Sequence, residues 1–332
     1  MRNLPPISSL LNDAQIDRLR ARSDLWGGYL VAHAWLVIAA ACALFIWIPH
    51  PLTYLAAVVI IGSRQLGLVI LMHDTAHNAL FKTPALNHFC GQWLCAFPML
   101  ADMPTYRNYH LKHHNRTQQD DDPDIVLTGH YPITRASLKR KLWRDISGQT
   151  GFSQRKSQLL HALGSPDLRA GQRVRFFWDQ LGRQTIANLT LLLIFAVVAD
   201  AYLYLILWLV PLLTWQQLVL RIRNIAEHAA IRDRSDPFGN ARTTEVTLLE
   251  RAFISPYWVN YHLEHHLIYW VSCYRLPLLR HFLIANGFGE KMQTEYGYLA
   301  VLKKVTVDDE DSPSSSGGYR AQGTFGTGFE AS

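Results

Sequence analysis

The chain has 332 residues, of which 49% are apolar and 17% charged, and its net charge is +6 at pH 7. Soluble domains carry about 25% charged residues, so this composition argues against an ordinary soluble protein and indicates an integral membrane protein. Arg and Lys are crowded into residues 101–183, which predicts one large polar face beside the membrane.

The first two predicted spans follow a polar N-terminal arm at residues 1–24. They cover about residues 25–48 and 52–72, and each has the roughly 20 residues that a hydrocarbon core of about 30 Å requires. Arg64 interrupts the second span, and we expect it to face the interior of the helix bundle rather than lipid. Its role stays open between a structural charge and a polar contact with a substrate.

The next two segments are predicted to remain on one side of the membrane. Residues 86–100 are apolar, but they are short and contain a histidine, a glutamine and a proline. This pattern favours an interfacial or re-entrant helix over a crossing. Residues 101–183 are polar and are predicted to lie outside the membrane.

The apolar block at residues 185–222 allows two interpretations. A turn near Asp200 would divide it into two spans, at about residues 185–199 and 201–222. A break at Pro211 would instead leave a single long crossing. The apolar pattern alone does not choose between them, and the positions of the histidines decide the question.

Three histidine clusters are the strongest chemical signal in the sequence. Side chains at i, i+3 and i+4 share one helix face, so each cluster can aim its imidazoles at a common point. Eight imidazoles are too many for one tetrahedral zinc ion and suit two metal ions of higher coordination number. Imidazole binds iron, copper, zinc and nickel alike, so the ligand type does not choose the metal. The clusters are HDTAH (His73, His77), HLKHH (His110, His113, His114) and HLEHH (His262, His265, His266).

Five carboxylates lie beside these clusters and could orient the ligand rings by accepting their N–H groups. For the carboxylates after the second cluster, a simple charged loop is an equally good interpretation. The five residues are Asp74, Asp122, Asp124, Glu227 and Glu264.

A shared site requires all three clusters to lie on the same side of the membrane. An even number of crossings must then separate them, which selects the turn near Asp200. The predicted fold is all-α, with four transmembrane helices in two hairpins and a helical cap that carries the histidines. The positive-inside rule places the cap and both termini in the cytoplasm. The predicted divisions are an arm at 1–24, a membrane domain at 25–302 whose cap comprises 73–184 and 223–302, and a disordered tail at 303–332.

With these clusters, the sequence resembles the membrane fatty acid desaturase and hydroxylase superfamily. The pattern of that superfamily is HxxxH, HxxHH and HxxHH on a four-helix membrane fold with a cytoplasmic cap. The resemblance covers roughly residues 30–285 and extends to DDDPD after the second box and YRLP after the third. It also implies a further ligand in an NxxxH motif, which Asn224 and His228 match. By this resemblance, nine histidines would bind two iron ions, and Asn224 would approach one of them through a water.

The resemblance implies an oxidoreductase, because unactivated C–H bonds require a redox metal and O2. The favoured function is a lipid acyl-chain desaturase that removes two hydrogens from a methylene pair, with no catalytic residues beyond the metal ligands. The alternatives are a hydroxylase or ketolase of a fatty chain, carotenoid or alkane, and a non-catalytic membrane protein that handles metal. The HxxxH spacing of the first box is typical of lipid-linked desaturases rather than of acyl-CoA desaturases.

The expected partners follow from that assignment. They are a lipid or acyl substrate, membrane lipid, and a separate electron donor of the ferredoxin or cytochrome b5 type, since no fused cytochrome b5 domain is recognisable. No nucleic acid partner is expected. The expected location is a bacterial inner membrane or the endoplasmic reticulum membrane.

Overall fold

The structure, a computed structural model, describes residues 4–308. The helices of the first third are α1 (Ile7–Leu10), α2 (Asp13–Arg20), α3 (Asp24–Trp47), α4 (Pro51–Ala76), α5 (Pro84–Phe89), α6 (Met103–Arg116) and α7 (Ile125–Thr128). They are followed by β1 (Ile133–Thr134), α8 (Arg135–Ile146), α9 (Gln149–Ala162), α10 (Ala170–Val198), α11 (Val210–Leu213) and α12 (Trp215–His228). The last elements are β2 (Thr243–Glu245), α13 (Leu248–Phe253), α14 (His262–Leu267), α15 (Leu276–Ala285), β3 (Thr294–Tyr296), α16 (Tyr298–Lys304) and β4 (Thr306–Val307).

The described chain is mostly helical and contains very little β structure. Its short strands form two parallel pairs, β1 with β4 and β2 with β3. Strand β1 lies between α7 and α8, and β2 follows α12. Their partners, β4 and β3, both lie in the C-terminal part of the described chain. Both pairs therefore hold the polar part of the molecule together rather than form a sheet with its own core.

Four helical segments are long and apolar enough to cross a membrane: Asp24–Trp47, Pro51–Ala76, Ala170–Val198 and Tyr204–His228. The most apolar stretch of α4 is 72% buried, against 28% in α3 and 22% in α10, which makes α4 the central helix of the four. The third and fourth segments are separated by a short non-helical connection around Asp200.

Local sequence explains where these helices begin and bend. The Oγ atom of Ser23 accepts the N–H of Trp26 at 3.3 Å and caps α3. At the start of α4, His50 Nδ1 accepts the N–H of Leu52 at 3.2 Å, and Pro51 occupies a position that needs no N–H donor. In the fourth segment, Pro211 lacks an N–H group, and the turn before it widens into a π-helix at Tyr204–Leu209.

The apolar core joins the four long segments by aromatic packing and a few buried polar contacts. The rings of Trp35 on α3 and Trp208 in the fourth segment stack with centroids 5.5 Å apart. The Gln65 side chain on α4 donates to the Trp208 carbonyl at 2.8 Å. Such contacts satisfy polar groups that water cannot reach inside the bundle.

Arg64 faces the protein interior and binds the C-terminal end of α13. Its guanidinium donates to the Ala252 carbonyl and lies 5.5 Å from the ring centroid of Tyr257. The neighbouring Ser63 hydroxyl donates to the Phe253 carbonyl at 2.8 Å. These donors satisfy carbonyls that the end of α13 leaves unpaired, so Arg64 attaches α13 to α4.

Residues 84–99 are a broken helical segment, with α5 followed by a π-helix at Cys90–Ala96 and a 3₁₀ turn at Phe97–Met99. Leu100 follows the last turn of this segment, and its carbonyl accepts a hydrogen bond from Gln158 on α9 at 2.7 Å. A buried ion pair joins the polar helices to the fourth segment, because Arg221 Nη2 lies 2.9 Å from Asp145 Oδ1.

The predicted tail is described only in part. Helix α16 continues to Lys304 and β4 covers Thr306–Val307, so regular structure extends into the region that was predicted to be a tail. Residues 309–332 lie outside the described range.

Candidate metal centre

The nine predicted histidines lie together in two buried groups at the ends of four helices. Within each group, the potential ligand atoms all lie within 4.8 Å of one another. They come from the C-terminal end of α4, from α6, from the last residue of α12, and from α14. The first group is His73, His77, His110, His114 and His265, and the second is His113, His228, His262 and His266.

The second and third boxes are each divided between the two groups. In α6, His110 and His114 face the first group, while His113 faces the second. In α14 the division is reversed, with His265 in the first group and His262 and His266 in the second. Residues i+3 and i+4 of a helix are about 100° apart around its axis, so one short box can reach two neighbouring points. The expectation of a single point for each box is therefore too simple.

In the second group, three imidazoles converge through the same ring nitrogen. His228 Nε2 lies 3.2 Å from His113 Nε2 and 2.8 Å from His262 Nε2. His113 Nδ1 donates to a carboxylate at 2.8 Å, and His228 Nδ1 donates to the Asn240 carbonyl at 3.2 Å. Since these acceptors require the ring proton on Nδ1, the lone pairs of both rings lie on Nε2. Lone pairs this close repel one another unless a cation lies between them.

The first group has a similar geometry. His114 Nε2 lies 2.9 Å from His110 Nε2 and 3.0 Å from His265 Nε2. For a metal–nitrogen distance of about 2.1 Å, adjacent ligand atoms are about 3.0 Å apart in an octahedron and about 3.4 Å apart in a tetrahedron. The shortest spacings in both groups are therefore close enough for neighbouring nitrogens to share one metal ion. Within residues 4–308, neither ring nitrogen of the buried His77 has a hydrogen-bond partner, and a metal ion would satisfy one of them.

Burial keeps these imidazoles in the neutral form that binds metal. Removal from water, reinforced by repulsion from neighbouring histidines, holds the pKa of His110, His114 and His265 well below the usual value. Burial, with a smaller contribution from Arg107, lowers the pKa of His77 to about 3. The residues present therefore fit a pair of metal ions: nine buried nitrogen donors, divided between two points.

Some of the carboxylates beside the boxes orient histidine rings. Asp122 is the clearest case, because its Oδ1 accepts from His113 Nδ1 at 2.8 Å and its Oδ2 accepts the N–H of Gln118 at 2.7 Å. Asp124 lies farther away, with Oδ2 at 3.5 Å from His113 Nδ1. Glu227 Oε1 lies 3.4 Å from His262 Nδ1. Such partners fix the orientation and raise the basicity of a metal-binding ring.

Asp74 and Glu264 have other partners. The carboxylate of Asp74 accepts the backbone N–H of Cys273 at 3.2 Å, which attaches the segment after the third box to α4. Glu264 forms an ion pair with Arg280 at 2.7 Å and also accepts from the Thr243 hydroxyl. Both residues support the backbone that carries the histidines, and neither has a histidine partner among the described contacts.

A small cavity of about 40 Å³ opens between the two groups. Its walls include His73 and His110 from the first group and His113, His228 and His262 from the second. Such a volume accommodates a few water-sized molecules at about 10–15 Å³ each.

The predicted Asn224 also lines this cavity. Its Oδ1 accepts from Arg223 Nη2 at 2.9 Å.

Two tyrosines that the sequence analysis did not single out lie against the histidines. The Tyr106 ring stacks on His110, with centroids 5.1 Å apart and planes 14° from parallel. The Tyr269 ring lies 5.1 Å from that of His77. Tyr106 precedes His110 by one helical turn, so the i, i+4 rule could have identified it. Tyr269 lies beyond the end of α14, where no such spacing rule applies.

Comparisons with known proteins agree with this geometry. A family model described as fatty acid desaturase matches residues 47–294. The chain is 27% identical over 270 residues to dihydrorhizobitoxine desaturase from Bradyrhizobium elkanii, and the match covers 76% of this chain and 73% of that protein. It is 26% identical over 259 residues to β-carotene ketolase from Paracoccus sp. (strain PC1), and the match covers 76% of this chain and 87% of that protein.

Proposed function

The chain belongs to the fatty acid desaturase family, and we propose that it is an O2-dependent desaturase of lipid acyl chains. Two proteins to which it is similar are named as a desaturase and a ketolase, and together with the family match they indicate an oxidoreductase of the membrane desaturase and hydroxylase superfamily. Four apolar helices fit the membrane location of that superfamily. The proposed reaction removes two hydrogens from a methylene pair of an acyl chain.

The observation that carries this proposal is the convergence of nine buried imidazoles on two neighbouring points. The superfamily is a di-iron one, and we propose that all nine histidines are iron ligands, with Asn224 approaching one ion through a water. When bound, the iron pair would supply the reduction of O2 and the oxidation of a C–H bond, which no side chain of this protein can supply.

The residues of the chain bind and orient the metal pair and limit access to it. Asp122 and the Asn240 carbonyl keep the protons of His113 and His228 on Nδ1, which directs both Nε2 lone pairs to the same point. The ring of Tyr106 covers one side of His110. These buried walls keep bulk water away from the centre, which protects reactive species from side reactions.

The topology belongs to the same proposal. We propose two transmembrane hairpins, with the histidine-bearing cap and both termini in the cytoplasm of a bacterial cell or on the cytoplasmic side of the endoplasmic reticulum. The concentration of Arg and Lys in residues 101–183 supports this orientation. A separate ferredoxin or cytochrome b5 would then supply electrons at the cap.

A hydroxylase or ketolase is the second candidate, and the similarity to a protein named β-carotene ketolase favours it. Desaturation and oxygen insertion begin from the same attack on a C–H bond, and small differences in substrate position decide between them. A protein that handles metal without catalysis is the third candidate. Such a protein would also bind metal through buried side chains, but it would form no lipid product.

Lipid analysis of cells with and without the full chain tests the proposal. The expected result is an acyl product that has lost two hydrogens, whereas a hydroxylase or ketolase would add oxygen to its substrate. The His110→Ala variant should abolish the product, and His161→Ala, which changes a histidine on α9 away from both groups, should retain it. An unchanged lipid profile in cells that contain iron-loaded wild-type protein would refute the enzymatic assignment.

A further inference from the structure

A second cleft opens outside the metal centre, where the N-terminal arm meets the chain that follows the third box. It has a volume of about 350 Å³ and is lined by Arg20, Arg22 and Trp270. Trp270 follows His266 by only four residues. Thr83, which follows the first box, donates its N–H to Asp24 at the start of α3 at 2.9 Å. The cleft therefore lies at the same end of α3 as the histidine groups.

The cleft carries two guanidinium groups that no carboxylate of the described chain contacts directly, although the buried Asp74 lies within electrostatic reach of Arg22. Within residues 4–308, neither Arg20 nor Arg22 forms an ion pair with a carboxylate. Arg22 Nε is buried and has no hydrogen-bond partner in that range. The guanidinium of Arg20 lies 5.6 Å from the centroid of the Trp270 ring. A buried donor without a partner is costly, and a bound anion would remove that cost.

The surroundings are typical of a lipid interface. The rings of Trp26 and Tyr274 stack with centroids 6.1 Å apart beside the arm, and aromatic side chains of this kind are enriched where the hydrocarbon core meets the head groups. An amphiphile places its ionised head at the same level. Guanidinium groups bind carboxylate and phosphate through paired hydrogen bonds. A cleft of this volume is typical of a site for a small ligand, whereas a protein partner usually binds a flatter surface.

We propose that Arg20, Arg22 and Trp270 bind the ionised head group, a carboxylate or a phosphate, of the acyl substrate. This inference rests on the proposed function, which supplies the acyl chain of the ligand. The cleft adds that the head group of this ligand is negatively charged. A carotenoid or an alkane has no group that two guanidiniums would recognise. The cleft therefore favours an anionic amphiphile over a neutral hydrocarbon, and it makes these residues determinants of specificity rather than of the chemical step.

Binding of labelled palmitate to the full-length, metal-loaded protein in phosphatidylcholine nanodiscs tests the proposal. Arg20→Gln and Arg22→Gln should each weaken palmitate binding about tenfold, because a hydrogen bond to a charged group is lost. Arg18→Gln is the matched control: it removes one charge from the same arm, but Arg18 lies over the Phe282 ring and outside the cleft. Hexadecanol, which has the same chain without a charge, should bind all four proteins equally.

Addition of anionic phosphatidylglycerol to the nanodiscs identifies the source of the head group. Displacement of palmitate would assign the cleft to a phospholipid phosphate, and retention would assign it to a free carboxylate. Both results support an anionic head group. Equal weakening by Arg18→Gln would overturn the proposal, because the effect would then be general surface charge. The proposal would also be overturned if Arg20→Gln and Arg22→Gln bound palmitate with wild-type affinity, or if they changed only the Michaelis constant for the electron donor.

Iron content and thermal unfolding of each variant, compared with wild type, establish that the metal centre and the fold are intact. The failure of this inference is distinguishable from the failure of the proposed function. If the arginines bind palmitate but no desaturated or oxygenated product forms with O2 and a reductant, the function is wrong and the cleft stands. If Arg20→Gln and Arg22→Gln form product with an unchanged Michaelis constant for the substrate, the cleft assignment is wrong and the function stands.

Discussion

Replacement of Asp122 by Asn tests whether the second histidine group binds metal in the orientation that the structure indicates. The buried carboxylate accepts hydrogen bonds from His113 Nδ1 at 2.8 Å, from the Gln118 N–H at 2.7 Å and from the Asp124 N–H at 2.9 Å. An amide has only one acceptor oxygen, so its NH2 group must oppose at least one of these donors. The loss of a hydrogen bond to a charged acceptor costs about 1.5–3 kcal/mol.

The expected consequence is a weaker metal centre. Removal of the partner of a metal-binding histidine typically lowers metal affinity about 10–100-fold, or about 1.4–2.7 kcal/mol, which agrees with the hydrogen-bond estimate. Chelator competition on the purified protein, followed by elemental analysis of retained iron, measures this change. Asp121→Asn is the control, because Asp121 is exposed and its ion pair with Arg116 should contribute less than about 1 kcal/mol. If both variants retain iron as wild type does, His113 is not held for metal binding by Asp122.

Three further predictions concern the fold. Gly67→Ala should lower the thermal unfolding temperature in detergent, because the new Cβ would lie 2.6 Å from the Tyr257 ring and overpacking costs about 1–3 kcal/mol. Gly28→Ala is the control and should cause no loss, because its new Cβ meets no atom within 4 Å. Asp145→Asn should cost about 3–5 kcal/mol in detergent-induced unfolding, since it removes the acidic member of a buried ion pair; a loss within error would contradict that role. Partial removal from water, and then repulsion from Lys141, lowers the pKa of His130 from 6.5 to about 4, although part of its surface is exposed. The unfolded chain binds this proton more readily, so the contribution of His130 to stability should fall as the pH drops through that interval. His130→Asn should flatten the fall in a pH series of unfolding midpoints, and an unchanged slope would argue against this cause.

The two histidine groups depend on each other because the same helices supply ligands to both. Helix α6 contributes to both groups, and so does α14. A shift of either helix therefore changes the ligand spacing at both points together. The Glu264–Arg280 ion pair attaches α14 to α15 without contact with a histidine. Rigid support of this kind is what a metal site requires for well-defined geometry.

The sequence alone determined the family, the helical class and the histidines that meet. HxxxH and HxxHH spacings are local helical geometry, so the rings of one box must lie near one another wherever the helix is placed. The need for all boxes to share one side of a membrane then selected the break near Asp200, and the structure has a non-helical connection there. His228 came from the resemblance rather than from spacing, and it lies in the second group.

Only the tertiary structure decided how these residues divide and which neighbours support them. His113 and His114 are adjacent in sequence, but they face different groups because their sides of α6 meet different histidines, His228 of α12 and His265 of α14. Asp74 and Asp122 both lie close to a box, yet only Asp122 meets a histidine ring, because the loop after α6 turns back over it while Asp74 faces Cys273. Trp270 and Arg20 are 250 residues apart, and no local pattern could bring them to one cleft. Spacing along a helix fixes the angles between side chains, whereas contacts between helices depend on long-range packing that a local pattern does not encode.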